Sequence, residues 1–101
     1  MPSIQFSPHE TNDIKNYVVA FLAIIDGKQV ECAISYQALR THFGADYDDP
    51  MPAFTTHRPH IEQLAAQFIR QKRFEPDGTI LMRSYDIVTN GVSLLQTIGT
   101  R

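Results

Sequence analysis

The chain carries one cysteine, Cys32, in 101 residues. A single thiol cannot close an intrachain disulfide, so nothing points to an oxidising compartment. An excess of positive charge is missing as well. Nine Lys and Arg face eleven Asp and Glu, for a formal net charge of −2, which argues against a protein whose main partner is a phosphate backbone. No apolar run reaches the roughly 20 residues needed to span a bilayer; the longest is "YVVAFLAII", Tyr17–Ile25. The opening "MPSIQFSPHETND" has no basic stretch followed by an apolar one, so no signal peptide is expected and the cytoplasm is the default location. The five glycines are scattered as turn or cap residues, and no glycine-rich phosphate loop is formed. Repeats and low-complexity segments are absent too.

What is present suits one small domain. Hydrophobic residues make up 43% and charged residues 20%, which is too apolar for disorder. A chain of this length buries about two-thirds of its unfolded surface, so a core alone can hold it without a metal.

Ser3–Phe6 reads as a short strand, and "SPHETND" after it as a loop, from its Ser, Pro, Asn and Asp content. Tyr17–Ile25 is β-branched and aromatic and reads as a long strand. Asp26-Gly27 then supplies a tight hairpin turn, and "KQVECAIS" is the return strand, with Val30, Cys32 and Ile34 alternating against Gln29 and Glu31. The first of these two strands is apolar on both sides. Tyr17, Val19, Phe21, Ala23 and Ile25 fall on one, and Val18, Ala20, Leu22 and Ile24 on the other. A strand with one wet face alternates instead, so the second side needs a cover. The candidates are the tail around Leu94–Ile98 and a second copy of the chain.

Ser35 is the expected N-cap of a helix over Tyr36–Phe43, with Tyr36, Leu39 and Phe43 on one stripe and Gly44 in the left-handed position that ends it. Asp49-Pro50 is a second helix start, and Pro52 is still in the first turn. Phe54, Ile61, Leu64, Ala65, Phe68 and Ile69 then form a buried face. Pro59 would cost about 3 kcal/mol in mid-helix, so a kink or break is expected at His57–Pro59, with the regular helix running over Pro59–Lys72. "FEPDGT", Phe74–Thr79, is a turn, and "TILMRSY" a closing strand. Asn90-Gly91 in the tail signals one further hairpin.

Several of these stretches resemble a known family. Gly27 with Cys32-Ala-Ile-Ser35, Leu39 with His42-Phe-Gly44, and Phe74-Glu-Pro-Asp-Gly-Thr79 resemble, over Phe6–Ser84, the short bacterial proteins catalogued as domain of unknown function 1488. The resemblance implies a single bacterial α+β domain with strands first, then two helices and a closing strand. It brings no activity, cofactor or catalytic residue. Pro59 departs from the family's unbroken second helix, and the segment after Tyr85 is longer than usual.

The stretch from His42 to His60, "HFGADYDDPMPAFTTHRPH", is the densest in groups that could do chemistry. His57 and His60 have HxxH spacing, and Asp46, Asp48 or Asp49 could complete a two-histidine, one-carboxylate centre. Pro59 between them spoils the helical geometry, and cysteine partners are lacking, so helix punctuation explains the stretch better. His42 sits in the last turn of its helix, where an imidazolium suits the dipole, and no nucleophile motif accompanies it. Cys32 alternates with core residues, where a thiol is inert. Turn chemistry accounts for Glu75 and Asp77. The basic run Arg70, Lys72 and Arg73, with Arg58 and Arg83 near it and Phe74 and Tyr85 as stacking rings, is the best case for nucleic acid. A solvated helix end explains it as well.

The expectation is therefore an α+β domain over residues 1–85, an antiparallel sheet with two helices on one face in the order β-β-β-α-α-β. An extension, 86–101, forms a hairpin or a partly ordered tail. No catalytic, metal or cofactor residue is assigned, and neither membrane nor small-molecule substrate is expected. The leading function is a non-catalytic accessory or protein–protein interaction domain of the bacterial cytoplasm that pairs with itself. The alternatives are a nucleic-acid-binding regulator using Arg70–Arg73, and a metal-dependent enzyme using His57, His60 and a nearby aspartate.

Overall fold

The hairpin around Asp26-Gly27 organises the sheet in the computed structural model, which describes residues 3–87. Strands β2 (Val18–Ile25) and β3 (Lys28–Ser35) pair antiparallel in unbroken register from Val18 opposite Ser35 to Ile25 opposite Lys28. Asp26 and Gly27 take φ of 51° and 87°, both positive, as a two-residue turn matched to strand twist requires. Strand β1 (Ile4–Asp13) pairs antiparallel along the other edge of β2.

β1 corrects the expected loop at Ser7–Asp13. The strand continues through it, with a register shift between Phe6 and Glu10, and then pairs Glu10–Asp13 with Phe21–Val18. A polar composition does not prevent a strand when a strong partner offers its ladder. Pro8 is tolerated because it lies on an edge strand at the irregularity.

Ser35 caps helix α1 (Tyr36–Phe43) by accepting from Ala38 N at 3.0 Å, and Gly44 ends it at φ 70°, both as the sequence requires. Two short helices follow where one kinked helix was an option. Helix α2 (Met51–Thr56) begins beside Asp49, whose carboxylate accepts from Met51 N at 3.1 Å. The backbone breaks at His57, and helix α3 (Arg58–Arg70) starts again with Pro59 in its first turn. There the missing N–H costs no hydrogen bond. α3 ends two residues before the expected Lys72. Lys72 itself takes φ 58°, while Lys72 N donates to Ile69 O and Arg73 N to Phe68 O. This is a Schellman closure with lysine where glycine usually stands.

The closing strand β4 is shorter than "TILMRSY", spanning Ile80–Met82, and residues 84–87 are helical. It lies beside β3 in the four-stranded order β1-β2-β3-β4 and runs parallel to it. The α+β class stands, but the sheet is mixed where an antiparallel one was expected. The cause is the connection: α1, α2 and α3 lie between β3 and β4, and such a crossover can return the chain in the same direction.

The core is one layer between the sheet and the helices. Val19, Phe21, Ala23, Cys32 and Ile34 face Leu39, Phe54, Ile61, Leu64, Phe68 and Ile69, all buried. Ile80, Met82 and Ile87 complete it. The expected helical face is buried in full. The tail residues Asn90-Gly91 and Leu94–Ile98 lie outside the described residues.

Candidate binding surfaces

The histidines of the dense polar stretch are occupied in packing. His57 stands at the α2–α3 break and His60 on the first turn of α3, and both rings lie on Phe43, at centroid distances of 5.2 and 5.4 Å. Among the described residues no three His, Cys, Asp or Glu side chains are placed to hold a metal ion. His42 Nε2 lies 3.1 Å from Ser84 O, tying α1 to the end of the described chain. Cys32 is fully buried, and burial pushes its thiol up to about 12, so no thiolate is available near neutral pH.

The basic residues do not form one surface. Arg70 and Lys72 are exposed. Arg73 pairs with Asp86 at 3.1 Å and lies 3.9 Å over the Phe68 ring. Arg83 forms a fork on Glu75, at 3.0 and 3.2 Å, which raises its pKa further. Arg58, grouped with this cluster in the sequence, belongs elsewhere. It binds Glu10, Glu62 and the carbonyls of Ser7 and Pro8. Glu75 and Asp77 are turn residues. Asp77 accepts from the Thr79 hydroxyl and N–H at 2.7 and 3.0 Å, and these bonds lower its carboxyl pKa.

Two surfaces stand out instead. The first is the outer face of the sheet. Val19, Phe21 and Ala23 are at most 2% exposed on the inner side, whereas Val18, Ala20, Leu22 and Ile24 are only half-buried. Register places Ala33 beside Ala20 and Leu81 beside Ala33, so the apolar strip widens toward β4. A hollow of about 340 Å³ opens there between Val18, Ala33 and Leu81, with Asp13, Glu31 and Asp77 around it. The two-sided apolar pattern of β2 made this face legible in the sequence.

The second surface escaped sequence reasoning. Tyr17, expected as the first residue of the strand on the side of Val19 and Phe21, stands just before β2 at φ 57° and is 67% exposed. Its carbonyl accepts from Tyr36 N at 2.8 Å, which locks this turn onto the start of α1. The Tyr17 and Tyr36 rings meet edge to face at 5.9 Å, and the Tyr36 hydroxyl donates to Asn12 Oδ1. Across a cleft of about 700 Å³ stand Tyr47, Asp48 and Pro50. Arg40 lies 4.5 Å over the Tyr47 ring. The turn that carries Tyr17, residues 14–17, was not read from the sequence. Nothing there hinted that Tyr17 and Tyr47 would meet at one opening, because that depends on where α1 docks.

Comparison with known proteins places the whole fold in a setting. The family described as "Protein of unknown function (DUF1488)" matches residues 4–82. The chain is 30% identical over 79 residues to "Uncharacterized protein YrdB" of Escherichia coli (strain K12), covering 77% of this chain and 93% of that protein. The Shigella flexneri protein of the same name matches to the same extent. A crystal structure of a DUF1488 protein of unknown function from Shewanella loihica PV-4 superposes with a TM-score of 0.72 at 25% identity, over 79% of this chain and 91% of the other.

Proposed function

This chain belongs to the DUF1488 family of proteins of unknown function, and within it we propose a non-catalytic protein-interaction domain that pairs with a second copy of itself through the outer sheet face. The observation that carries this reading is the half-buried strip Val18, Ala20, Leu22 and Ile24, backed by Ala33 and Leu81. Large apolar faces on soluble domains serve contacts more often than they stay bare. A second copy fits because the strip lies along a single strand, with uncharged Gln5, Thr11 and Gln29 beside it. Two-fold stacking then sets apolar surface on apolar surface. Glu31 lies opposite Leu22 and Asp13 opposite Val18, so added salt screens their repulsion and tightens the pairing. In this reading the domain works in the bacterial cytoplasm, which suits its single buried thiol. The nucleic-acid alternative is left with Arg70 and Lys72 alone, since Arg58, Arg73 and Arg83 are engaged within the fold.

Light scattering with the intact chain at tens of micromolar tests the proposal. The expected result is a dimer mass that Leu22→Glu converts to a monomer with an unchanged circular dichroism spectrum. A strictly monomeric parent chain overturns it, and so does a dimer indifferent to Leu22→Glu.

A further inference from the structure

Exposed apolar side chains are concentrated at one opening. Of the five large ones exposed among the described residues, Ile14 (69%), Tyr17 (67%) and Tyr47 (83%) line the cleft between the β1–β2 turn, α1 and the segment before α2. Tyr17 is held there in a left-handed conformation that costs a non-glycine residue about 1 kcal/mol or more. The cost is spent on an outward-facing ring.

The polar groups around these rings are poised for a ligand with acceptors and positive charge. Asn12 uses its Oδ1 on Tyr36, while its amide donors have no partner among the described residues. Arg40 makes no ion pair among them; its guanidinium lies over Tyr47 and reaches only Gln37 Oε1, at 3.4 Å. Asp48 lines the opening, and the charges of Asp13 and Asp49 are felt at the Tyr36 phenol, which loss of water raises first. Asp48 at the opening and Asp13 and Asp49 near it thus make three carboxylates against two cations, Arg40 and the exposed Lys15 of the β1–β2 turn.

We propose that this cleft docks a proline-rich segment of a partner protein in the polyproline-II conformation, flanked by arginine or lysine. A polyproline-II chain has no internal hydrogen bonds, so its carbonyls seek donors such as the Asn12 amide and the Arg40 guanidinium. Its proline rings lie on aromatic faces with little entropy to lose, and Tyr17, Tyr36 and Tyr47 offer such faces. The acidic surround selects a cationic flank, and Arg40 over Tyr47 displays the ring–guanidinium contact that a ligand arginine would repeat at Tyr17.

Fluorescence anisotropy of the intact protein with a labelled peptide, RPAPPAPPR, tests the site. Two exposed positions make suitable variants: Tyr47→Ala, and Tyr17→Asn, because asparagine tolerates the left-handed backbone. Each is expected to weaken binding by about tenfold or more. Replacing both peptide arginines by glutamate should do the same, and Leu22→Glu in the protein should change nothing. No saturable binding up to about 1 mM overturns the proposal. Equal binding by the tyrosine variants does so too, as does equal binding of a basic peptide without proline. Because Leu22→Glu and the tyrosine variants act on different faces, failure here is distinguishable from failure of self-pairing.

Discussion

Arg58, on the first turn of α3, places Nη1 2.5 Å from Glu10 Oε1 on the edge strand β1, joining residues 48 positions apart. The same guanidinium reaches Glu62 through Nε at 2.8 Å, and the carbonyls of Pro8 and Ser7. It also lies over the Phe54 ring at 5.6 Å. The two carbonyls belong to the irregular stretch where β1 slips register against β2, so Arg58 fastens the least regular part of the sheet to the helical layer.

Arg58→Ala is expected to destabilise the fold by about 2 kcal/mol, because it leaves two part-buried carboxylates and two carbonyls without their donor. Arg58→Lys should recover little, since one ammonium cannot replace a fork of donors. Urea denaturation of both variants checks this; an Arg58→Ala loss below about 0.5 kcal/mol, within the usual range for surface substitutions, contradicts it.

Pro59 gives a second expectation. A proline inside a helix costs about 3 kcal/mol, so its removal would stabilise strongly, whereas a proline in the first turn costs nothing. Its place in α3 after the break at His57 predicts that Pro59→Ala changes stability by less than about 1 kcal/mol in thermal or urea unfolding. The α2–α3 break should persist, visible as unchanged helical content by circular dichroism.

Cys32 supplies a pH dependence. Its thiol is raised from 9.0 to about 12 by burial. Between those values the unfolded chain has lost the proton and the folded chain keeps it, so stability falls as pH rises. The contribution is intact below pH 9 and declines by up to about 1.4 kcal/mol per pH unit above it. Cys32→Ala, compared with the parent chain in urea titrations at pH 8 to 10.5, should show the shallower decline. Near neutral pH the native thiol should resist disulfide reagents, reacting at the rate at which the fold opens.

Much of the frame was legible because its signals are local. Asp26-Gly27 needs only positive φ, Ser35 and Gly44 cap α1 through bonds within a few residues, and Pro59 favours a place in a first helical turn by its own covalent geometry. The apolar character of both sides of β2 could also be read directly, and with it the outer face. The β1 segment through Pro8 could not be read, because its strand state comes from pairing with Glu10–Asp13's partners on β2 and from Arg58. Lys72 as a left-handed helix end was hidden for a similar reason: lysine carries no such preference of its own.

Sequence by itself determined the two-sided strand, the hairpin, both ends of α1 and the break before Pro59, since backbone propensity, capping and periodicity act over a few residues. Tertiary structure alone decided that β4 runs parallel to β3, that Arg58 leaves the basic cluster for β1, and that Tyr17 meets Tyr36 and Tyr47 around one opening. Each of these joins parts of the chain that are distant in sequence, and such contacts are set by how the helices dock on the sheet rather than by any residue's own preference.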